Sequence, residues 1–266
     1  MPALTPFDHL LALALAVFFP IRAVTFGYRR LADAPETAVP RVRRALYAQA
    51  LLIQWTLAAS VGALWVWQAR GWDSLGLVWH TDLRSLLVAG SALVFIALIA
   101  SQLRRALNDP DTLAGIRGRL AHIERMLPRS LGELRAFLAL SFTAGVCEEL
   151  LYRGFMVWYL NHFLPLAVAA AVAIVLFAIG HSYQGRRGVV QTGVVGALMT
   201  VLYMISGSLY VSMLLHALVD AYSGTMGRRA LNAVQITPAR PAVADDVVAG
   251  EVVTGDTSPN DSPTVI

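Results

Sequence analysis

The sequence predicts an all-α membrane protein: a polytopic bundle of about seven to eight transmembrane helices followed by a disordered C-terminal tail. Two observations carry this. Hydrophobic residues fill 57% of the 266 positions and charged residues 14%, with a mean hydropathy of +0.60. That is too little charge to cover a soluble domain of this length, so the surplus apolar surface must face lipid. The second observation is a series of seven apolar runs, at 8–27, 46–68, 85–103, 133–160, 164–182, 189–206 and 208–226. Each approaches the roughly 20 helical residues that a hydrocarbon core of about 30 Å requires.

The first run has no basic segment before it and no convincing cleavage site, so it is expected to be retained as a helix. Arg29, Arg30, Arg41, Arg43 and Arg44 follow it. The second run ends among Trp65, Trp67, Trp72 and Trp79, as an aromatic belt would, with only Arg70 nearby. Arg104, Arg105, Arg117, Arg119, Arg125 and Arg129 follow the third run, Arg186 and Arg187 the fifth, and Arg228 and Arg229 the seventh. Every second connection is therefore basic, which predicts an outside N-terminus and a cytoplasmic C-terminus. The expected location is the cytoplasmic membrane of a bacterium, since all 21 basic residues are arginine, as in a GC-rich genome. The net charge of +4 is explained by this placement between spans, and no nucleic-acid partner is expected.

Between the third and fourth runs, Leu113, Ile116, Leu120, Ile123 and Leu127 recur at helical spacing, the pattern of an amphipathic helix on the cytoplasmic membrane surface. Pro128 ends it, and Ser130 with Glu133 offers a capping box for the next helix. The stretch from Ser130 to His162 exceeds one straight span, so a break or strong tilt is expected within it. Gly193 and Ala197 suggest a close helix contact. Beyond Arg229 the helical period stops, which divides the chain into a membrane domain at 1–230 and an acidic tail at 231–266.

The informative residues are those that are expensive in lipid. Glu148, Glu149 and Arg153 interrupt the fourth run, His181 closes the fifth, and His216 and Asp220 sit inside the seventh. A charge at mid-membrane costs about 2.5–3.5 kcal/mol even on lenient scales, so three such clusters call for a purpose. Glu149 and Arg153 share one helical face in the order that favours an ion pair, leaving Glu148 free. Asp220, one turn after His216, can orient that imidazole or share its target, and Phe177 can brace the His181 ring. Counting from the turn near Leu164 puts Glu148 and His181 at one depth, roughly 25 Å below it, and His216 about 10 Å away, so a tilt or bend must close that gap. Cys147, the single cysteine, reads as a packing residue and excludes an intrachain disulfide framework.

Glu-Glu-x-x-x-Arg at 148–153, Phe-x-x-x-His at 177–181 and His-x-x-x-Asp at 216–220 together resemble the signature of the CPBP intramembrane proteases. That family includes the CAAX prenyl endopeptidases of the Ras-converting-enzyme type and the bacteriocin-processing Abi proteins. The resemblance covers roughly 130–226. It implies an intramembrane endopeptidase acting on a membrane-associated or lipidated substrate. Glu148 would be its catalytic glutamate, supported by Glu149, Arg153 and Phe177. His181 would help activate water, while His216 and Asp220 would stabilise the oxyanion or contribute to a metal site.

The chemistry agrees with those residue types, because amide hydrolysis needs an activated water and a site for developing negative charge. An ionised Asp220 cannot donate to an oxyanion, so that role requires its protonated form or falls to His216 alone. A zinc version would use Glu148, His181 and His216 as ligands, although the commonest His-Glu-x-x-His arrangement is absent. Two other classes use intramembrane carboxylates and histidines: a proton-coupled transporter, and a non-catalytic immunity or interaction protein. The sequence shows no inverted repeat for the first and no decayed motif position for the second.

Overall fold

The computed structural model describes residues 3–22, 25 and 28–233, and within them every regular element is a helix. The chain is an integral membrane protein built as a helical bundle. Eight principal helices follow one another: α1 (6–22), α2 (Val39–Trp67), α3 (Leu83–Asn108), α4 (Pro110–Leu120), α5 (131–160), α6 (Leu166–Gly180), α7 (Gly185–Ser206) and α8 (Tyr210–Ala233). All but α4 occupy the seven apolar runs. Three segments, Val39–Trp67, Leu83–Ala106 and Ser182–Ser206, are long and apolar enough to cross a membrane on those grounds alone. In α1, α5 and α8 charged residues interrupt the apolar run, and α6 is apolar but only 15 residues long. The last helix runs three residues into the segment expected to be tail, and 234–266 lie outside the described residues, as do 23, 24, 26 and 27 of the first run.

Burial is inverted relative to a soluble protein. Leu86, Leu87, Leu93, Val94 and Leu98 of α3 are exposed, as are Leu52, Trp67, Val175, Val190, Val194 and Leu214 on other helices, a coat that faces lipid. The polar residues lie inside. The largest apolar cluster joins Trp65, Leu75, Phe155, Met156, Trp158 and Phe177 with Ala12 and Leu15 of α1.

Several residues read from sequence as interfacial are structural instead. Trp65 is fully buried against Phe155 and Trp158, so it belongs to the core and not to the aromatic belt, where Trp67, Trp72 and Trp79 remain exposed. Arg70 is not a loop charge. Its guanidinium grips Asp8 of α1 through two bonds, Nη1 to Oδ1 at 2.7 Å and Nη2 to Oδ2 at 2.8 Å, and lies over the rings of Trp65 and Trp158. Arg43, counted in a basic loop, is likewise buried and donates to both oxygens of Glu133. Glu133 also completes the expected capping box with Ser130, so one carboxylate starts α5 and fastens it to α2.

The amphipathic stretch differs from expectation in the same way. Its α-helix stops at Leu120 and continues as a 3-10 segment, Ala121–Met126. Its apolar stripe is turned inward: Ile116, with Leu113 and Leu120 beside it, packs on Ala106 of α3 and on Met226 and Tyr222 of α8. The stripe therefore serves a helix–helix contact.

Removing one partner of a buried ion pair leaves an uncompensated charge, which costs about 3–5 kcal/mol. We expect Asp8→Ala and Arg70→Ala each to lower the thermal unfolding midpoint of detergent-purified protein sharply, and Asp8→Asn combined with Arg70→Gln to do less harm than either. Single variants as stable as the unsubstituted chain would deny the pair its role in holding α1.

Candidate active site

The interruption expected between Ser130 and His162 is a change of pitch. α5 is α-helical from Leu131 to Glu148, widens to a π-helix over Glu149–Met156, and resumes over Val157–Leu160. Widened turns of this kind recur at functional sites because they re-aim consecutive side chains. Here the widening begins one residue after Glu148. Adjacent residues of a regular helix diverge by about 100°, yet Glu148 and Glu149 address two edges of one imidazole. Glu149 Oε1 lies 2.7 Å from His216 Nδ1, and Glu148 Oε2 lies 3.9 Å from His216 Nε2.

His181 approaches from the end of α6. It occupies the C-cap, and its Nδ1 stands 2.9 Å from the carbonyl oxygen of Phe177, one of the acceptors that a helix end leaves free. A carbonyl only accepts, so Nδ1 carries the proton and, in the neutral ring, Nε2 presents a lone pair. That Nε2 lies 3.8 Å from the same Glu148 Oε2. The three groups singled out from three separate helices thus converge on one carboxylate oxygen, and the depth difference inferred for His216 is closed. Neither separation is a hydrogen bond, and each can be bridged by a single oxygen at ordinary bond lengths.

A second layer fixes this arrangement. Arg153 Nη1 pairs with Glu149 Oε1 at 3.0 Å, as the four-residue spacing predicts. The rest of the guanidinium reaches α7, with Nη2 donating to the Gly196 carbonyl at 3.0 Å and Nε to Thr200 Oγ1 at 3.3 Å. It also lies 4.1 Å above the Phe177 ring. Phe177 in turn stands 4.7 Å from the His181 ring and edge-on to His216 at 6.1 Å, so it braces both histidines and not His181 alone. The close helix contact expected at Gly193 is made against Ala178 of α6, 3.5 Å from where a Cβ would stand, and a tighter one lies at Gly196, where a Cβ would come within 2.8 Å of Arg153 Nη2 and 2.9 Å of Phe177 Cδ1.

Asp220 lies at the Nε2 edge of the His216 ring, where of the two roles its spacing allowed it can share the target of His216 but does not orient the ring. Its Oδ2 is 3.8 Å from His216 Nε2, its side chain is 40% exposed, and the imidazole is oriented through Nδ1 by Glu149. Cys147 is fully buried and points to no chemistry. The residue that sequence reasoning missed is Gln54 of α2, which donates from Nε2 to Glu148 Oε1 at 2.8 Å. Nothing in its spacing marks it, since Gln49 interrupts the same apolar run.

These groups line a cavity of about 280 Å³ among α2, α5, α6, α7 and α8. Glu148, His181, His216 and Asp220 occupy one part of its wall, while Leu46, Ile53, Leu127, Phe137 and Leu140 give the rest an apolar character. A tetrahedral zinc with bonds of 2.0–2.2 Å would bring its donors to roughly 3.4 Å from one another. The separations of Glu148 from His181 and His216 are wider, and among the described residues no group of three or more His, Cys, Asp or Glu is gathered to hold a metal ion. The donors as arranged do not form a ligand set.

Comparison with known families meets this same part of the chain. Residues 130–222 match the family model of type II CAAX prenyl endopeptidase Rce1-like proteins. The match runs from the cap of α5 to Tyr222 in α8 and takes in Glu148, His181, His216 and Asp220, so over about a third of its length the chain is similar to CAAX-type intramembrane proteases. No curated protein and no solved structure matches the chain. Helices α1–α3, including Gln54, lie outside the matched stretch.

Proposed function

We propose that this protein is an intramembrane endopeptidase of the CAAX type, which hydrolyses a peptide bond in a prenylated or otherwise lipidated substrate. The observation that carries the reading is the convergence of His181 Nε2 and His216 Nε2 on the single oxygen Glu148 Oε2 inside a largely apolar cavity. A water between Glu148 and His181 gives one proton to each of these two acceptors, which leaves an oxygen lone pair directed at a carbonyl carbon. As that oxygen bonds to carbon, Glu148 takes a proton and the carbonyl electrons move onto oxygen.

The oxyanion then needs a donor, and His216 supplies one. The carboxylates of Glu148, Glu149 and Asp220 against the guanidinium of Arg153 leave two negative charges in excess around His216, which favours its imidazolium. In that form Nδ1 donates to Glu149 and Nε2–H is free for the oxyanion. When the tetrahedral carbon collapses, the C–N bond breaks and the leaving amine takes the proton held by Glu148. Asp220 remains an acceptor under this scheme and acts on the charge of His216 from 3.8 Å, without touching the oxyanion. The apolar wall fits the lipid chain of the substrate. The arginine-bearing connections favour an orientation with the N-terminus outside and the site opening toward the cytoplasm of a bacterium.

The test is turnover of quenched-fluorescence peptides by detergent-purified protein, with and without a prenylated cysteine near the C-terminus and with and without a chelator. His181→Ala and His216→Ala should each lose turnover, and Asp220→Asn should retain most of it. A signal shared equally by the unsubstituted protein and the histidine variants would come from a contaminant and remove the support for a protease. Loss of activity to the chelator, restored by zinc, would replace this scheme with a metal-dependent one.

A further inference from the structure

Gln54 is buried in the wall of the cavity that Glu148, His181 and His216 line, and it reaches the reacting carboxylate from outside the stretch that matches the protease family. Its amide has one workable orientation. With the groups exchanged, its carbonyl oxygen would meet a carboxylate oxygen, acceptor against acceptor. The NH2 therefore faces Glu148, and Gln54 Oε1 is left buried with no hydrogen-bond partner among the described residues. A methionine of similar volume would fill the same place without a polar group to satisfy. Nor is the glutamine required to fasten α2 to α5, because Trp55 Nε1 donates to Thr143 Oγ1 at 3.0 Å in the same turn and Arg43 grips Glu133 further along. Packing alone accounts poorly for the residue.

We propose that Gln54 is a positioning residue for the peptidase reaction, an inference that rests on the function proposed above. Its NH2 clamps Glu148 Oε1 and so commits the other oxygen, Oε2, to the space that His181 and His216 share. Without the clamp the carboxylate turns about its terminal bond, where rotation is only weakly restricted, and the basic oxygen spends less time facing the water. Such an effect falls on the chemical step and leaves substrate binding alone.

The experiment measures kcat, KM and the thermal midpoint for Gln54→Met and Gln54→Glu with a lipidated peptide. Loss of a hydrogen bond to a charged group predicts a kcat about 10- to 100-fold lower in Gln54→Met, with KM and the midpoint essentially unchanged. Gln54→Glu preserves the shape but sets a second carboxylate against Glu148, so its kcat should fall further. A purely structural glutamine predicts the reverse, with Met as good as Gln. Unchanged kcat in Gln54→Met would overturn the proposal while leaving the protease intact, as would a loss confined to KM or one that tracks the thermal midpoint. Absence of any turnover that Glu148→Gln removes would sink the protease reading and this proposal together.

Discussion

Glu148→Gln should reduce turnover by about 10³- to 10⁴-fold, the upper range for loss of a general base. The substitution keeps size and polarity, and one of its two amide positions can still meet Gln54. What it cannot do is take a proton at the atom that faces both histidines. Its expected effect therefore exceeds that of the Asp220 substitution and should leave affinity for the peptide nearly intact, since nothing bulky changes in the cavity wall. Direct binding of a fluorescent lipidated peptide to the inactive variant checks this. A Glu148→Gln protein that still turns over at a tenth of the normal rate would remove Glu148 from the role of base.

The other large effect is expected from a residue with no side chain. Gly145 lies one turn before Glu148, where α5 crosses α8, and a Cβ there would stand 2.6 Å from the carbonyl oxygen of Met213 and 2.7–2.8 Å from the Cβ and backbone nitrogen of Ala217. Two of those atoms are backbone and cannot swing aside. The helices must separate, and they carry Glu148 and the residue beside Ala217, His216. Gly145→Val should thus cost about 1–3 kcal/mol of stability as an overpacked contact. It should also reduce kcat by more than that loss explains, because the distances of 2.7 Å and 3.9 Å around His216 widen together. Gly145→Ala should show the same pattern at smaller size. Full activity in Gly145→Val at a temperature where the protein is folded would show that the α5–α8 spacing does not set the site.

The contrast between these two residues indicates what a sequence of this kind discloses. Glu148, His181 and His216 stood out because ionisable groups are rare in lipid, and the helices stood out because long apolar runs have few other uses. Gly145, Gly196 and Gln54 carry no such mark: small residues are common in membrane helices, and a neutral amide interrupts an apolar run without forbidding it. Arg43 and Arg70 were visible but misplaced, since counting charges between spans cannot distinguish a loop residue from one that folds back onto a buried carboxylate. The role of Glu149 escaped for a local reason. Its spacing to Arg153 described one ion pair, and only the widened turn after Glu148 adds His216 to the same oxygen.

The grip of Arg70 on Asp8 also bears on how the chain is made. Asp8 is completely enclosed, near the start of the first helix, and its counter-charge lies 62 residues later, beyond the end of the second. Until Arg70 has been made that carboxylate lacks this partner, and with the N-terminus outside, as proposed, it has to be carried across the bilayer, at whose centre a charge is unfavourable by a few kcal/mol. The first helix is therefore a poor lodger by itself and becomes a good one when α2 arrives with Arg70. Biogenesis should admit the two as a hairpin, and a nascent chain stopped before residue 70 should leave its first helix extractable.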